Sequence, residues 1–395
     1  MADKKFSFSK LNFHVSKNWN WKEDKKDQKF VKYGDNNKFP QELIELYNRS
    51  SIHGACINAI VEGVIGKGLT ANEDHYIERA NPKESWNDIF EKVSLDQKLF
   101  GSFALEIIYS NDRSHIDVYH VDYSTVRAVE KDAHGHIHGY YLSNEWDESF
   151  RYMKQLDENV IYLPAYNTER KAEEAHQLFV VNNYRPGQEY YALPDYIAAL
   201  RVIELDVEVD NFHTNNIKNG LAPSLSITTF TGGSDDQLKS IEEQLNSNYG
   251  GSNNAGSLMY IDVDSPENAP QIVPIPQNGA DGYYTTINDT VLQKILTAHR
   301  ITSPMILGIK TEGQLGGRAE VIDSYLLFQN IVLEPLQQDI VGNLEGILRF
   351  NYPDAILGVE QKKLYDDGDE EVEVITDTDT TVEEQVEIEE PEILA

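Results

Sequence analysis

Residues 190–220 read YYALPDYIAALRVIELDVEVDNFHTNNIKNG. Pro194 suits the first turn of a helix, where its missing N–H is no loss, and Gly220 suits the end. Nothing between them breaks the run, so the pattern predicts one helix over 195–219, about 37 Å long at 1.5 Å per residue. Its apolar residues form two stripes. Tyr196, Leu200, Ile203 and Val207 make one; Ile197, Leu205, Val209 and Phe212 make the other. Acids at Glu204, Asp206, Glu208 and Asp210 fill part of the remaining surface. A helix apolar on two sides needs neighbours on two sides. Sister copies arranged in a ring would supply them.

Working outward, residues 221–280 read as a separate small α/β insert. It has a strand at 224–229, a helix at 235–248, a strand at 257–262 and Pro-rich extended chain at 266–276. A second helix returns at about 281–300. Residues 301–319 hold Pro304 and four glycines, a long loop of the kind reserved for function. A last helix over 320–348 carries Pro335, which should kink it by removing a donor and crowding the preceding turn. Upstream, a helical pattern starts at Phe39-Pro40 and runs to Ile65, and another spans Trp86 to Phe100. Strands are expected at 104–109, 116–120, 126–130, 140–142 and 160–163, separated by turn-forming residues. The fold class is α+β.

The chain has 395 residues and a formal charge of −32, unevenly spread. Fourteen acids and no Lys or Arg lie between Asp366 and Ala395, which leaves −18 on residues 1–365. The first 38 residues form a basic arm, with ten Lys against five acids and aromatics at Phe6, Phe8, Phe13, Trp19 and Trp21. So acidic a body should not grip nucleic acid over a broad face, because phosphate binding needs clustered cations. The single cysteine, Cys56, excludes an internal disulfide and a Cys-based zinc site, and fits a reducing cytoplasm. The N-terminus has no apolar stretch that could serve as a signal peptide, and no membrane span is expected.

Three patterns carry possible chemistry. His134, His136 and His138 alternate, which on a strand would align three imidazoles on one face for zinc, with His115 and His120 as neighbours. Against this, Asp132-Ala-His-Gly135 reads as a hairpin turn, and no fourth ligand has suitable spacing. Gly63-Val-Ile-Gly-Lys67-Gly-Leu-Thr70 glances at a phosphate loop, but its glycines are too close and Gly68 stands where Ser or Thr must hold magnesium. The loop at 308–317 is glycine-rich without a strand–turn–helix signature, and acid pairs such as Asp235-Asp236 sit at helix starts, where negative charge is favoured. No cofactor is implied.

With these stretches laid out, their order over about 39–350 resembles the portal protein family of tailed bacteriophages, in its shorter siphophage-type form. The resemblance rests on Tyr33–Pro40, Ile60–Leu69, Leu99–Ile107, Tyr190–Pro223, Gly250–Ser257, His299–Gly308, and Arg318–Glu320 followed by Leu333-Glu-Pro335. It implies a portal fold with a wing (39–190), a first stem helix (191–220), a clip (221–280), a second stem helix (281–302), a tunnel loop (303–319), a kinked wing helix (320–350) and a C-terminal segment with an acidic tail (351–395). It further implies a non-enzymatic subunit of a ring, dodecameric in virions, whose hole passes double-stranded DNA. Lys310, Glu312, Gln314 and Arg318 would face DNA in the tunnel loop. Glu204, Glu208 and Phe212 would belong to the stem, and Tyr249, Asn253 and Asn254 to the docking edge of the clip. The implied partners are the terminase large subunit, the major capsid protein and a head–tail adaptor, with the protein at the capsid vertex of the virion and in the host cytoplasm during assembly. The alternatives are another head or head–tail connector component, or a metal-dependent hydrolase built on His134–His138.

Overall fold

The computed structural model describes residues 30–146, 160–218, 225–229, 258–262, 280–309 and 318–362. Chain direction is first set by three helices: α1 (Phe39–Arg49), α2 (Ser51–Ile65) and α3 (Trp86–Phe100). The sequence predicts one helical run to Ile65, but the structure breaks it at Ser50, whose ψ of 112° is extended. Ser50 is the N-cap of α2: its Oγ accepts from the His53 N–H at 3.2 Å and donates to Asp206 at 2.7 Å. α3 matches the expected span. Its capping box pairs Ser85 with Asp88, and Gly101 ends it at φ +75°, close beneath the Leu193 carbonyl. Trp86, Ile89, Phe90, Val93 and Phe100 bury one face of α3, which packs on α2.

The central strand is β2 of one antiparallel sheet. β1 (Leu69–Ala71) precedes it, β2 spans Ser102–Tyr109, β3 Ile116–Val121, β4 Val126–Ala128, β5 Gly139–Leu142, β6 Ile161–Pro164 and β7 His176–Asn182. One sheet has the order β3-β2-β7 and a second β4-β5-β6, all neighbours antiparallel. Phe103, Leu105, Ile107 and Tyr109 bury one face of β2, while the other is buried at Ser102 and Ala104 and only half covered at Glu106 and Ile108. The sequence reading has no counterpart for β1 or β7. The two sheets are joined where Tyr166 N–H donates to the Leu178 carbonyl at 2.8 Å.

The helix expected over 195–219 is shorter than expected. A 3₁₀ turn at Ile197–Ala199 precedes α4 (Leu200–Lys218), which spans about 28 Å. The Pro194 carbonyl accepts from the Ile197 N–H at 3.1 Å, a tight turn, and also from Arg185, while the Tyr196 hydroxyl donates to the Leu99 carbonyl at 2.7 Å. β8 (Leu225–Thr229) and β9 (Leu258–Asp262) pair in parallel, Leu225 opposite Leu258. A parallel pair needs a crossover, for which the intervening 28 residues suffice; the helix expected at 235–248 lies outside the described residues. α5 (Ala280–Ala298) then packs against α4, and a 3₁₀ turn follows at Pro304–Leu307.

The last helical stretch is α6 (Arg318–Phe328), a π segment (Gln329–Leu333) and α7 (Glu334–Leu348). The irregularity expected from Pro335 thus takes the form of a π segment just before it. α7 buries Ile340, Val341, Leu344, Ile347 and Leu348. β10 (Leu357–Val359) closes the body by pairing antiparallel with β1, Leu69 opposite Val359. A side chain at Gly66 (φ +60°) would strike the Glu360 carbonyl at 2.5 Å, so the returning strand needs glycine there. No described helix is long and apolar enough to cross a membrane.

Candidate functional site: the paired helices and the joint beneath them

α4 uses one of its stripes inside the subunit. Leu200, Ile203 and Val207 are buried, as is Tyr196 just before the helix. α5 answers with Val291, Ile295 and Leu296. The other stripe is not covered: Leu205, on the far side of α4 from Ile203 and Val207, is 45% exposed, with Ile197 and Val209 half-buried. Glu208 is exposed and Glu204 partly so. Asp206 is buried, and burial raises its carboxyl above the usual range, while the Ser50 hydroxyl bond works the other way.

Below these helices sits a joint that the sequence reading missed. His53 of α2 and His299, just past α5, are both fully buried, and their rings meet at 2.8 Å, Nδ1 of one to Nε2 of the other. One imidazole must donate and the other accept, so the accepting ring is neutral, and burial favours the neutral form of both. Burial, with the nearby Lys98 ammonium second, pushes His53 down to about 3. The same burial, then Lys98 and His53, holds His299 well below its ordinary value. The Tyr196 ring covers both imidazoles, at 4.7 and 4.9 Å. Lys98 is itself buried and meets both oxygens of Asp195 at 2.8 Å. Cys56, one turn along α2, has its thiol pushed up to about 12 by burial, which leaves it inert.

Past His299 the chain reaches α6 by polar contacts. Arg300 Nη2 donates to the Ile331 carbonyl at 2.6 Å, and Thr302 Oγ1 to the Ser324 carbonyl at 2.8 Å. α6 carries another uncovered apolar surface: Leu326 is 48% and Leu327 52% exposed, with Ile331 beside them.

A second buried cation organises the stretch Tyr33–Pro40. Arg127 of β4 is fully buried. Its guanidinium donates to Asn37 Oδ1 (2.7 Å), Asn37 O (2.8 Å), Ser124 O (2.9 Å) and Val126 O (2.7 Å), and lies over the rings of Trp146 and Tyr33. Burial lowers it to about 10, still protonated at neutral pH.

The three alternating histidines do not share a strand face, because β5 starts only at Gly139. Residues 132–138 form a turn organised by Asp132. Its Oδ1 accepts from the N–H groups of His134 and His136, and its Oδ2 lies 2.7 Å from His138 Nε2. That carboxyl is held at about 2, first by the His136 N–H bond. His115 pairs loosely with Asp117, and His120 bonds Asp96, so neither joins the turn. Among the described residues no group of three or more His, Cys, Asp or Glu could hold a metal ion. Gly63–Gly68 closes α2 and turns into β1, with Lys67 paired to Glu360.

Lys310, Glu312, Gln314, Tyr249, Asn253 and Asn254 lie outside the described residues. Arg318 starts α6 and Phe212 lies within α4, but their side chains are outside the description. Glu204 and Glu208 follow one another on α4, one turn apart. No local pattern could have marked His53 with His299 or Arg127 with Asn37, since 246 and 90 residues separate the partners.

The described body thus has two three-stranded antiparallel sheets, a helix pair with apolar surface left exposed and a polar joint beneath it. Comparison with known proteins places it in a family. The family model for phage portal protein matches residues 70–349. An uncharacterized protein of Rickettsia bellii is 22% identical over 350 residues, 84% of this chain and 83% of that one. A probable portal protein of Haemophilus phage HP1 is 23% identical over 188 residues, 45% of this chain and 53% of that one. Among solved structures, a chain from the virion of a native gene transfer agent particle matches with a TM-score of 0.54 at 14% identity, covering 81% of this chain and 83% of its own. A chain from the neck of an empty particle of that kind, computed with C6 symmetry, gives 0.53 at 14% identity, over 80% and 83%. At such identities the structural likeness speaks for the fold. The chain belongs to the phage portal protein family, a structural family and not an enzymatic one.

Proposed function

We propose that the chain is one subunit of a closed ring, dodecameric in the particle, whose hole passes double-stranded DNA into and out of a capsid. The exposed stripe at Leu205, opposite the stripe buried within the subunit, carries this reading: it offers α4 to a sister copy. The family match and the folds of the gene transfer agent chains support it.

In this reading 39–190 is the wing, 191–220 and 281–302 the two stem helices and 221–280 the clip. Residues 303–319 are the tunnel loop, 320–350 the kinked wing helix and 351–395 the C-terminal segment. The clip, with Tyr249, Asn253 and Asn254, docks the terminase large subunit during packaging and a head–tail adaptor afterwards. The wing meets the major capsid protein at one vertex of the virion. Lys310, Glu312, Gln314 and Arg318 face DNA. An acidic wall repels phosphates, so DNA slides with few lasting contacts, and two cations at a constriction give weak retention. Lys310→Glu is therefore expected to change DNA retention or packaging yields while leaving ring assembly intact.

The deciding experiment is negative-stain imaging of the purified protein together with its mass in solution. Annular particles of ring mass are expected. A protein that stays monomeric at every concentration tested ends the reading.

A further inference from the structure

α6 has little apolar anchorage. From Ala319 to Phe328 only Phe328 is buried, while Leu326 and Leu327 are half exposed and Val321, Ile322 and Tyr325 only partly covered. Among the described residues its polar tie to the segment after α5 is Thr302 to the Ser324 carbonyl, and Arg300 holds the π segment that follows through the Ile331 carbonyl.

The Arg300 bond has a chemical reason. In an α-helical register the Ile331 carbonyl accepts from the N–H of residue 335, and residue 335 is proline, which has none. The backbone shifts to a π segment instead, in which the Glu334 N–H reaches five residues back to the Gln329 carbonyl. The guanidinium takes the place that the proline leaves at Ile331. Arg300 does so from the cap of α5: its N–H bonds the Thr297 carbonyl and the Ile301 N–H the Leu296 carbonyl, the helix-ending turn that sets its φ at +59°.

We propose that Arg300 is a positioning residue that clamps the π segment, and with it α6, to the end of α5. Pro335 keeps the backbone from serving the Ile331 carbonyl in an α-helical register whether or not Arg300 is present, so the guanidinium is the donor that holds this carbonyl. With the bond broken, the π segment and the weakly anchored α6 open locally while the rest of the body stays folded. That the exposed surface of α6 meets a sister subunit rests on the ring reading; the clamp itself does not.

Hydrogen–deuterium exchange of the full chain tests it, in the assembly the chain adopts. Arg300→Ala is expected to speed exchange over residues 321–334 at least about tenfold while α2 and α3 keep theirs, since opening is local. Arg300→Lys should recover part of the protection, because an ammonium still donates but lacks the guanidinium's reach and fork. Pro335→Ala added to Arg300→Ala supplies the missing N–H to Ile331 and should restore protection. Unchanged exchange in Arg300→Ala, an equal rise in α2 and α3, or no recovery with Pro335→Ala each overturns the proposal. Imaging of the same samples separates the two ideas: the expected exchange pattern in a chain that never forms rings ends the ring reading and leaves the clamp standing.

Discussion

Arg127 shows how much one buried side chain can organise. Five carbonyl oxygens and two rings surround its guanidinium, and among the described residues no carboxylate is one of its hydrogen-bond partners. Arg127→Ala leaves those acceptors buried and unpaired beside a cavity, at a cost of about 3–5 kcal/mol. Arg127→Lys should rescue little, because an ammonium cannot span acceptors set for a planar fork. Thermal denaturation of the two variants checks this, and a lysine variant as stable as the parent would refute it. The buried His53–His299 pair predicts a pH dependence with a definite sign. Both histidines titrate lower in the folded state than in the unfolded chain, where the ordinary value is near 6.5. Their contribution is fully present above about pH 6.5 and falls as the unfolded chain takes up protons, down towards pH 3. The slope is about 1.4 kcal/mol per pH unit for each histidine kept neutral. Urea titrations from pH 8 to pH 5 should show it, and His53→Leu should flatten the slope. None of this was legible in the sequence. Tyr33–Pro40 stands out there as a motif, yet nothing in it says that it wraps an arginine on β4.

At the scale of the element, the sequence is read well where local chemistry decides. Ser85, Asp88 and Gly101 bracket α3 with their own side chains and backbone, and the helix forms where the sequence placed it, at about Trp86 to Phe100. The break at Ser50 was not. Serine between Arg49 and Ser51 carries no punctuation stronger than its neighbours, and its cap is completed by Asp206, 156 residues away. Ser50→Ala should therefore cost about 1–2 kcal/mol, more than a typical exposed cap, since it also strips a buried carboxyl of its donor. Chemical denaturation measures that, and Asp206→Asn in the same background should show coupling between the sites. β7 escaped notice because its run Leu178–Val181 has no clean alternation, and its place beside β2 is fixed by partners far upstream. The shortening of α4 has the same origin: Tyr196 is drawn to the Leu99 carbonyl and the histidine pair, and the backbone there tightens to 3₁₀.

For the molecule as a whole, the two stripes of α4 separate folding from assembly. Leu200→Ala removes a buried side chain, so it should destabilise the subunit by about 2–5 kcal/mol. Leu205→Glu alters an exposed one, so melting of the subunit should change little while annular particles are lost. Rings that persist in Leu205→Glu would remove this stripe from the subunit contact. The division between the stripes could be seen in the sequence; which one faces inward could not, because that depends on α1 and α5 packing on α4 from distant parts of the chain. The antiparallel seam between β1 and β10 belongs to this scale too. Lys67 and Glu360, which flank it, are 293 residues apart, so the seam closes one of the longest loops the chain can make. Such a contact forms late and slowly. During synthesis, α2 and α3 must wait on the ribosome, with the surface that α7 will cover bare, until nearly all of the chain has emerged. Nascent subunits are thus exposed to premature sticking for most of their translation, and a host chaperone that shields apolar helices would raise the yield of soluble protein more than any slowing of its later assembly.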